Sequence, residues 1–411
     1  MTLHDTTDGS AVRAAHGTAG AAGAGGRWVV AMSGGVDSSV AAWMLREQGL
    51  DLYGLFMRNG VHVDEHESAK KSCCSVSDAR DARMVAAHLG IPFQAVDLKD
   101  EFRSIVSYFL REYAAGRTPN PCAVCNRDLK FRRLLSFARE LGAEGVATGH
   151  YARLAIEDGR VCLRRGRDAN KDQSYQLFSV AEENLRHTRL PLGDLEKPAV
   201  RALAKNAGLR TSAKKDSQEI CFVPQNDYRK LLEAEQVALH PGDLVDTSGA
   251  QIGTHAGTEH FTIGQRRGHG VAGGTPLYVV ALEPEAGRVV LGTRAECAVE
   301  SMTVGDLNWI GFDAPSNGEF RCEVQHRYRG TPARATVRIE PAAREHKLLA
   351  RVTFDEAEFS VTPGQGAAFY DGDRLLGGGW IDSTQRPVDR AAGDASPIRI
   401  DARVDTGVAD R

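Results

Sequence analysis

An apolar run, Trp28-Val29-Val30-Ala31-Met32, leads straight into Ser33-Gly34-Gly35-Val36-Asp37-Ser38-Ser39 and then into Val40-Ala41-Ala42-Trp43-Met44-Leu45. A strand, a glycine turn and a helix in that order open an α/β unit. The alternation continues. Ser38–Gln48 reads as a helix stopped at Gly49, Asp51–Met57 as a second strand, Ser77–His88 as a helix stopped by Gly90, and Phe93–Val96 as a third strand. Such alternation predicts a parallel sheet. Ligands of parallel sheets sit at the carboxyl ends of the strands, where Ser33–Ser39 and Met57–Asn59 both fall. Glycines there let backbone N–H groups approach an anion, and the helix N-terminus adds a favourable dipole. A phosphate site is therefore expected on Ser33, Gly34, Gly35, Asp37, Ser38 and Ser39, with Ala31, Met32 and Val36 counted among the cofactor-binding positions around it. Asp37 could hold Mg²⁺ or orient the loop, and the bland alternative is a tight turn capped by Asp37. The loop lacks the lysine of a P-loop, which excludes a kinase or GTPase of that type.

Further along, 101–141 reads as helix broken by Gly116-Arg117-Thr118-Pro119-Asn120-Pro121, since two prolines around an asparagine disfavour a continuous helix. That break sets Cys122 and Cys125 at a loop-to-helix junction. Gly145–Thr148 is a strand ending in Gly149-His150-Tyr151. A hairpin is expected around Glu157-Asp158-Gly159, followed by Asn170–Val180, and a helix over Pro198–Ala207. From about Pro241 the pattern turns to short strands with Gly and Pro turns: Gly242–Val245, Phe261–Ile263, Leu277–Leu282 and Val289–Leu291. A second β-rich unit carries Phe320–Gln325, Ala335–Ile339, Lys347–Thr353 and Gln365–Tyr370, and a small barrel fits it. The expected fold class is multidomain: an α/β parallel-sheet domain over 27–225, a small central β-rich domain over 226–300 and a C-terminal β-barrel-like domain over 301–385. Loose tails are expected at 1–26 and 386–411. No run of eighteen apolar residues is present, and the first 26 residues lack the apolar core of a signal peptide. A cytoplasmic protein with no membrane association is the expectation.

The formal net charge is −3, which gives no overall attraction to nucleic acid. Local basic clusters are candidates for it: Arg127/Lys130/Arg132/Arg133, Arg164/Arg165/Arg167/Lys171, Arg201/Lys205/Arg210/Lys214/Lys215 and Gln265/Arg266/Arg267. The alternative is that they are solvated helix faces. Eight cysteines in a long chain of this composition argue against a disulfide scaffold. Cys125 and Cys221 stand out, because Arg127 and Lys130 near the first and Lys214 and Lys215 near the second could lower a thiol pKa. On composition alone, either is as easily a core cysteine. Cys73, Cys74, Cys162, Cys297 and Cys322 lack such surroundings and read as structural.

The glycine loop resembles that of the ATP-pyrophosphatase family, whose members split ATP between its α and β phosphates to adenylate a substrate. Eight strings extend the likeness across Val29 to about Ile381: AMSGGVDSSVAAW, GLFMRN, TPNPCAVCNRDLKF, ATGHYAR, NKDQSYQLF, KKDSQEICFVP, FTIGQRRGHG and PGQGAAFYDGDRLLGGG. Together they resemble the bacterial tRNA-specific 2-thiouridylases. The resemblance implies ATP-dependent sulfur transfer to C2 of the wobble uridine (U34) in tRNAs for Lys, Glu and Gln, with AMP and pyrophosphate released. It implies Cys221 as a persulfide carrier loaded by a cysteine-desulfurase relay, and Cys125 as the nucleophile that releases the sulfur through a transient disulfide reset by thiol exchange. Met57 and Gly149 resemble nucleotide-contacting positions, and His150 beside them resembles a position that faces the RNA. Asn120, Pro121 and Cys122 resemble the segment touching the target base. Lys171, Asp172, Gln173, Arg327, Tyr328 and Gln365 resemble positions near the tRNA. A uridine must leave the anticodon stack to reach such a pocket. A monomer is expected, with the RNA supplying the main interface. A 4-thiouridine synthase, an argininosuccinate synthase and a non-catalytic RNA-binding module are the rivals. The two cysteine strings and the FTIGQRR segment count against the first two, and an intact phosphate loop and Cys221 count against the third.

One position departs from the family pattern. Many members carry Asp where this chain has Cys122, and that Asp is assigned acid/base work. A thiol differs strongly in pKa from a carboxylate. The change also yields three candidate ligands, Cys122, Cys125 and Cys221, for a [4Fe-4S] cluster with one open iron. A structural zinc is the third reading, and the spacing does not choose among them.

Overall fold

The computed structural model describes residues 26–60, 76–216, 220–223, 227–271, 274–315, 318–341 and 348–387. Cys73, Cys74 and nearly all of both expected tails lie outside them. Strands β1 (Arg27–Ala31), β2 (Asp51–Arg58), β3 (Phe93–Asp97) and β4 (Gly145–Ala147) precede a hairpin, β5 (Ala152–Glu157) and β6 (Arg160–Arg165), and the two-residue β7 (Thr188–Arg189). The first sheet runs β3-β2-β1-β4-β7, and every pairing in it is parallel. In β1, Val29 packs with Leu55, Phe131, Leu134 and Val146 on one face. Val30 packs with Val40, Leu45, Phe56 and Val85 on the other. A strand buried on both faces has no polar alternation, which is why Trp28–Met32 reads as a continuous apolar run. Helices Val36–Glu47, Val76–Leu89 and Lys99–Ala114 follow their strands closely to the expected limits.

The central unit is a four-stranded sheet, ordered β10-β11-β8-β9, from β8 (Gly242–Asp246), β9 (Gln251–His255), β10 (Tyr278–Glu283) and β11 (Arg288–Gly292). Phe261–Ile263 is not a strand. It follows a 3-10 turn, and Phe261 is a loop residue filling the core against Leu244, Val279, Val289 and Leu291. Its apolarity marks burial, not extended pairing. β9 went unpredicted because most of its residues are exposed or half-buried and polar.

Six strands close the C-terminal barrel: β12 (Ala298–Trp309), β13 (Gly318–Gln325), β14 (Ala333–Pro341), β15 (Leu348–Phe359), β16 (Gly366–Asp371) and β17 (Arg374–Gln385). The order is β12-β15-β14-β13-β16-β17, and β12 pairs with β17 to complete the ring. β17 escaped prediction because Gly377-Gly378-Gly379 looks like a loop. A Cβ at Gly378 would lie 2.2 Å from the Ala367 carbonyl oxygen, and one at Gly379 2.3 Å from that of Gly305. Glycine is what permits the strand to curl that closely against both neighbours. The β5–β6 hairpin, expected to serve the N-terminal domain, extends the barrel sheet instead, with Leu163 opposite Leu375 and Arg164 opposite Arg374. One apolar cluster accordingly spans both domains, joining Val29, Phe131 and Tyr175 to Ile310, Ala368, Tyr370 and Leu375. Among the described residues, no helix is long and apolar enough to cross a membrane.

Candidate active site

The glycine loop leaves β1 at Ala31 and enters helix Val36–Glu47 with Gly35 at the N-cap, where no side chain caps the helix. Its first N–H groups therefore remain available to an anion. The serines hold the loop's shape: the Ser33 amide donates to Ser38 Oγ at 3.1 Å, and Ser39 Oγ donates to the Gly35 carbonyl at 2.7 Å. Gly34 has φ +73°. A Cβ there would sit 2.3 Å from the Asp78 carbonyl oxygen. Gly149, after β4, approaches from the far side, so that a Cβ on it would come within 2.8 Å of the Ser38 amide nitrogen. Met57, at the end of β2, is half-buried between two apolar clusters. Gly34→Ala should weaken ATP binding by about tenfold or more, since a left-handed alanine alone costs about 1–2 kcal/mol. Titration calorimetry with ATP checks this, and unchanged affinity would divorce the loop's turn from binding.

Asp37 faces away from a metal role. Lys197 Nζ donates to both of its carboxylate oxygens, at 2.7 and 2.8 Å, and Tyr151 Oη donates to one at 2.7 Å. Among the described residues, no group of three or more His, Cys, Asp or Glu is arranged to hold a metal. Of the two roles open to Asp37, orientation of the loop is the one these contacts fit. Lys197 is itself buried and reaches Asp216 at 2.9 Å. Asp216 also takes Lys171 and Arg201, each at 2.7 Å.

Lys214 was expected to activate Cys221, but its ammonium is committed elsewhere. It donates to the Gly34 carbonyl at 2.8 Å, to Asp78 at 2.6 Å and to Asp81 at 2.7 Å. Those carboxylates outweigh burial and hold its pKa above the usual lysine range. Lys214 and Asp216, a few residues ahead of Cys221 in the chain, are thus tied to the phosphate loop, through Lys214 itself and through Asp216–Lys197–Asp37. Near Cys125, Arg127 chelates Asp128 at 3.0 and 2.9 Å, and Lys130 donates to Asn126 Oδ1 at 3.0 Å.

Asn120 caps the short helix Pro121–Val124, accepting from the Ala123 amide at 3.2 Å, and its Nδ2 is buried. Cys122 is exposed on that helix. Cys125 then begins a π-helical stretch, Cys125–Arg133, with the Leu134 amide bonding back to Leu129. Such stretches recur at functional sites, and no pattern of apolar spacing would have revealed this one. Cys125 and Cys221 are half-buried and pack on the same apolar cluster, formed by Phe102, Phe109, Val124, Leu129, Phe222 and Val223. Cys122 is not part of it. Among the described residues the three thiols do not form a metal-holding group, so the geometry does not fit the expected ligand set for a [4Fe-4S] cluster or a zinc. Burial pushes the Cys297 thiol up to about 11, the Cys322 thiol up to about 12, and the Cys162 thiol up as well.

His150 is buried, its Nδ1 2.7 Å from Thr148 Oγ1 and its ring against Phe131. Burial, and then Lys130, hold it well below the usual histidine range, so it is neutral. The residues expected to face RNA divide. Arg327 and Tyr328 are exposed, with the Arg329 guanidinium 5.3 Å from the Tyr328 ring centre. Lys171 is paired with Asp216. Asp172 turns inward to the Gly166 and Ser174 amides and Arg165, and Gln173 accepts from the Tyr151 amide. Gln365 donates to two carbonyls of the 118–119 loop. Of the basic clusters, Arg164, Arg201, Arg210 and Lys214 are in ion pairs. Arg266 and Arg267 are exposed.

Residues 26–225 match the model of a tRNA methyl transferase HUP domain, 231–293 that of a tRNA methyl transferase PRC-barrel domain, and 299–381 that of an aminomethyltransferase beta-barrel domain. The tRNA-specific 2-thiouridylase MnmA of Acidobacterium capsulatum is 46% identical over 86% of this chain and 98% of its own length. That of Geobacter metallireducens is 46% identical over 87% and 97%. The Rhodopirellula baltica protein of the same name is 43% identical over 86% and 96%.

Proposed function

The chain belongs to the tRNA-specific 2-thiouridylases, ATP-dependent sulfurtransferases, and from that premise we propose that it converts U34 of tRNAs for Lys, Glu and Gln to 2-thiouridine. ATP lies along Ala31–Ser39, Met57 and Gly149, with its phosphates on the uncapped helix N-terminus. The C2 oxygen of the flipped-out uridine attacks the α phosphorus. Pyrophosphate leaves, and C2 now carries AMP as a leaving group. Developing charge on the phosphates meets backbone N–H groups and the helix dipole.

A sulfur-donor protein, of the cysteine-desulfurase type, loads Cys221 with a sulfane sulfur. The Cys125 thiolate attacks the Cys221 sulfur of that persulfide, forming a Cys125–Cys221 disulfide and releasing hydrosulfide. Hydrosulfide adds to C2, and AMP departs. A dithiol reductant, supplied from outside, returns the two thiols. The adenylated base hydrolyses if water reaches it, and the apolar cluster around both thiols suits that demand. Mg²⁺ is the usual companion of ATP phosphates and would offset their charge, although Asp37 is occupied by Lys197. No step is routed through an iron–sulfur cluster, since among the described residues Cys122, Cys125 and Cys221 are not arranged as a metal-holding group. Cys122 stands where the family places a carboxylate, beside the target-base segment. Arg327 and Tyr328 fit contacts to phosphate and base.

The observation that carries this reading is that Cys125 and Cys221 pack on one apolar cluster, while Lys214 and Asp216, earlier in the same string, reach the phosphate loop. Purified protein with ATP, a persulfide donor and U34-containing tRNA should yield AMP and 2-thiouridine in equal amounts, with the sulfur mapped to position 34 by nuclease digestion and mass spectrometry. ADP as product, sulfur at another nucleotide, or methylation from a methyl donor would overturn it.

A further inference from the structure

The turn that leads into the target-base segment is built largely by the barrel. Residues 117–120 form no strand or helix, so their backbone groups must find partners elsewhere. The Thr118 amide donates to the Pro363 carbonyl at 2.9 Å. Gln365 Nε2 donates to the Thr118 and Pro119 carbonyls, at 3.3 and 2.9 Å. Arg117 reaches the other way, to the Ile381 carbonyl at 3.1 Å and the Asp382 carbonyl at 3.2 Å, while its Nε holds Glu112 at 2.8 Å. Gly364 fits under the turn at φ +90°, where a Cβ would lie 2.8 Å from the Thr118 carbonyl oxygen. Immediately after this clamp come Asn120, Cys122 and Cys125. The amide donors of Gln365 are thus spent inside the protein, and its Oε1 faces the Tyr175 hydroxyl at 3.5 Å.

We propose that Gln365 and Arg117 are positioning residues, through which the C-terminal barrel sets the turn carrying the reactive thiol and the target-base groups. The inference rests on the function proposed above. It differs from the expectation that Gln365 touches tRNA: Gln365 acts on the substrate only through 118–125. A barrel acting this way is part of the catalytic apparatus as well as a platform for RNA. Carbonyls clamped at two adjacent residues fix the direction in which the chain enters helix Pro121–Val124. That direction in turn aims the buried Asn120 amide and Cys125.

Gln365→Met keeps the length and removes both donors. Arg117→Lys keeps a cation for Glu112 and loses the guanidinium fork that spans two carbonyls. Each variant is measured for kcat and KM with tRNA, for melting temperature, and for the rate at which iodoacetamide alkylates Cys125, followed by peptide mass spectrometry. The expected result is a kcat lower by about 10- to 100-fold, as small misplacements of reacting groups produce, with KM for tRNA within twofold and Cys125 alkylation several-fold changed. A raised KM with unchanged kcat would make Gln365 a direct RNA contact and overturn the proposal. Unchanged kcat and unchanged alkylation in both variants would overturn it too. The alkylation rate needs no tRNA, so it tests the clamp even when wild-type protein makes no 2-thiouridine, an outcome that sinks the function and not the clamp. If Gln365→Met melts too early to assay, Arg117→Lys carries the test alone.

Discussion

Serine at Cys125 or at Cys221 lowers tRNA thiolation by at least about 10³-fold, the scale on which an enzyme loses rate when its nucleophile is removed, and leaves ATP binding intact. A hydroxyl is nearly the size of a thiol, so the shared apolar cluster of Phe102, Phe109, Leu129 and Phe222 keeps its packing. Oxygen, however, cannot carry a sulfane sulfur, and a serine hydroxyl is not ionised near neutral pH. Cys221→Ser removes the carrier, and Cys125→Ser removes the group that discharges it. The two differ in what accumulates: Cys125→Ser should hold a persulfide on Cys221 that mass spectrometry detects as one extra sulfur, and Cys221→Ser should hold none. Serine at Cys297 or Cys322 is the control, because burial pushes those thiols up to about 11 and about 12, and both remain protonated at neutral pH. Retained thiolation in either of the first two variants would remove the two-thiol mechanism.

The sequence speaks clearly wherever one signal has one physical cause. Trp28–Met32 is apolar because both faces of β1 are buried, and Ser33–Ser39 is glycine- and serine-rich because it turns that strand into a helix N-terminus with no side-chain cap. Gly377-Gly378-Gly379 misleads, since the same residue that marks a loop also allows a strand to curl against two neighbours. Phe261 misleads in the opposite sense, a loop residue that is apolar because it plugs a core. What sequence reading missed are long-range contacts: Lys197 went unnamed, and Lys214 was assigned to Cys221 rather than to the loop. Lys197 is 160 residues from Asp37 and Lys214 is 180 from Gly34. Nothing local distinguishes them from the solvated lysines around them. Arg117, likewise, lies 264 residues from the Ile381 carbonyl it holds. Cys125 was found by its motif, but the π-helical turn beginning at it has no counterpart in apolar spacing.

Lys197→Met destabilises the N-terminal domain by about 3 kcal/mol, near the low end of what removing one partner of a buried ion pair costs, because Asp37 is about a third exposed. Methionine matches the apolar stem and deletes the ammonium, so Asp37 keeps only the Tyr151 hydroxyl among the contacts described. Its carboxylate, no longer neutralised, lies in the first turn of the helix whose N-terminus is to receive phosphate. ATP affinity should fall about tenfold for that reason, a change of about 1.4 kcal/mol. Acid stability changes as well. Burial alone would push Asp216 up, but Lys171 and Lys197 hold it below the usual carboxylate range. A carboxylate depressed on folding contributes stability that is present above its unfolded pKa and lost as pH falls through the folded one. With Lys197 gone the depression shrinks, so unfolding on acidification should begin at higher pH. Adding Asp37→Asn to Lys197→Met should recover part of the lost stability and of the lost ATP affinity, since the stranded charge is removed. Denaturant titration and calorimetry on the two single variants and the double complete the cycle. Strict additivity would mean that Lys197 stabilises the loop without acting through Asp37. Partial recovery would mean that this ion pair holds the helix N-terminus open to an anion.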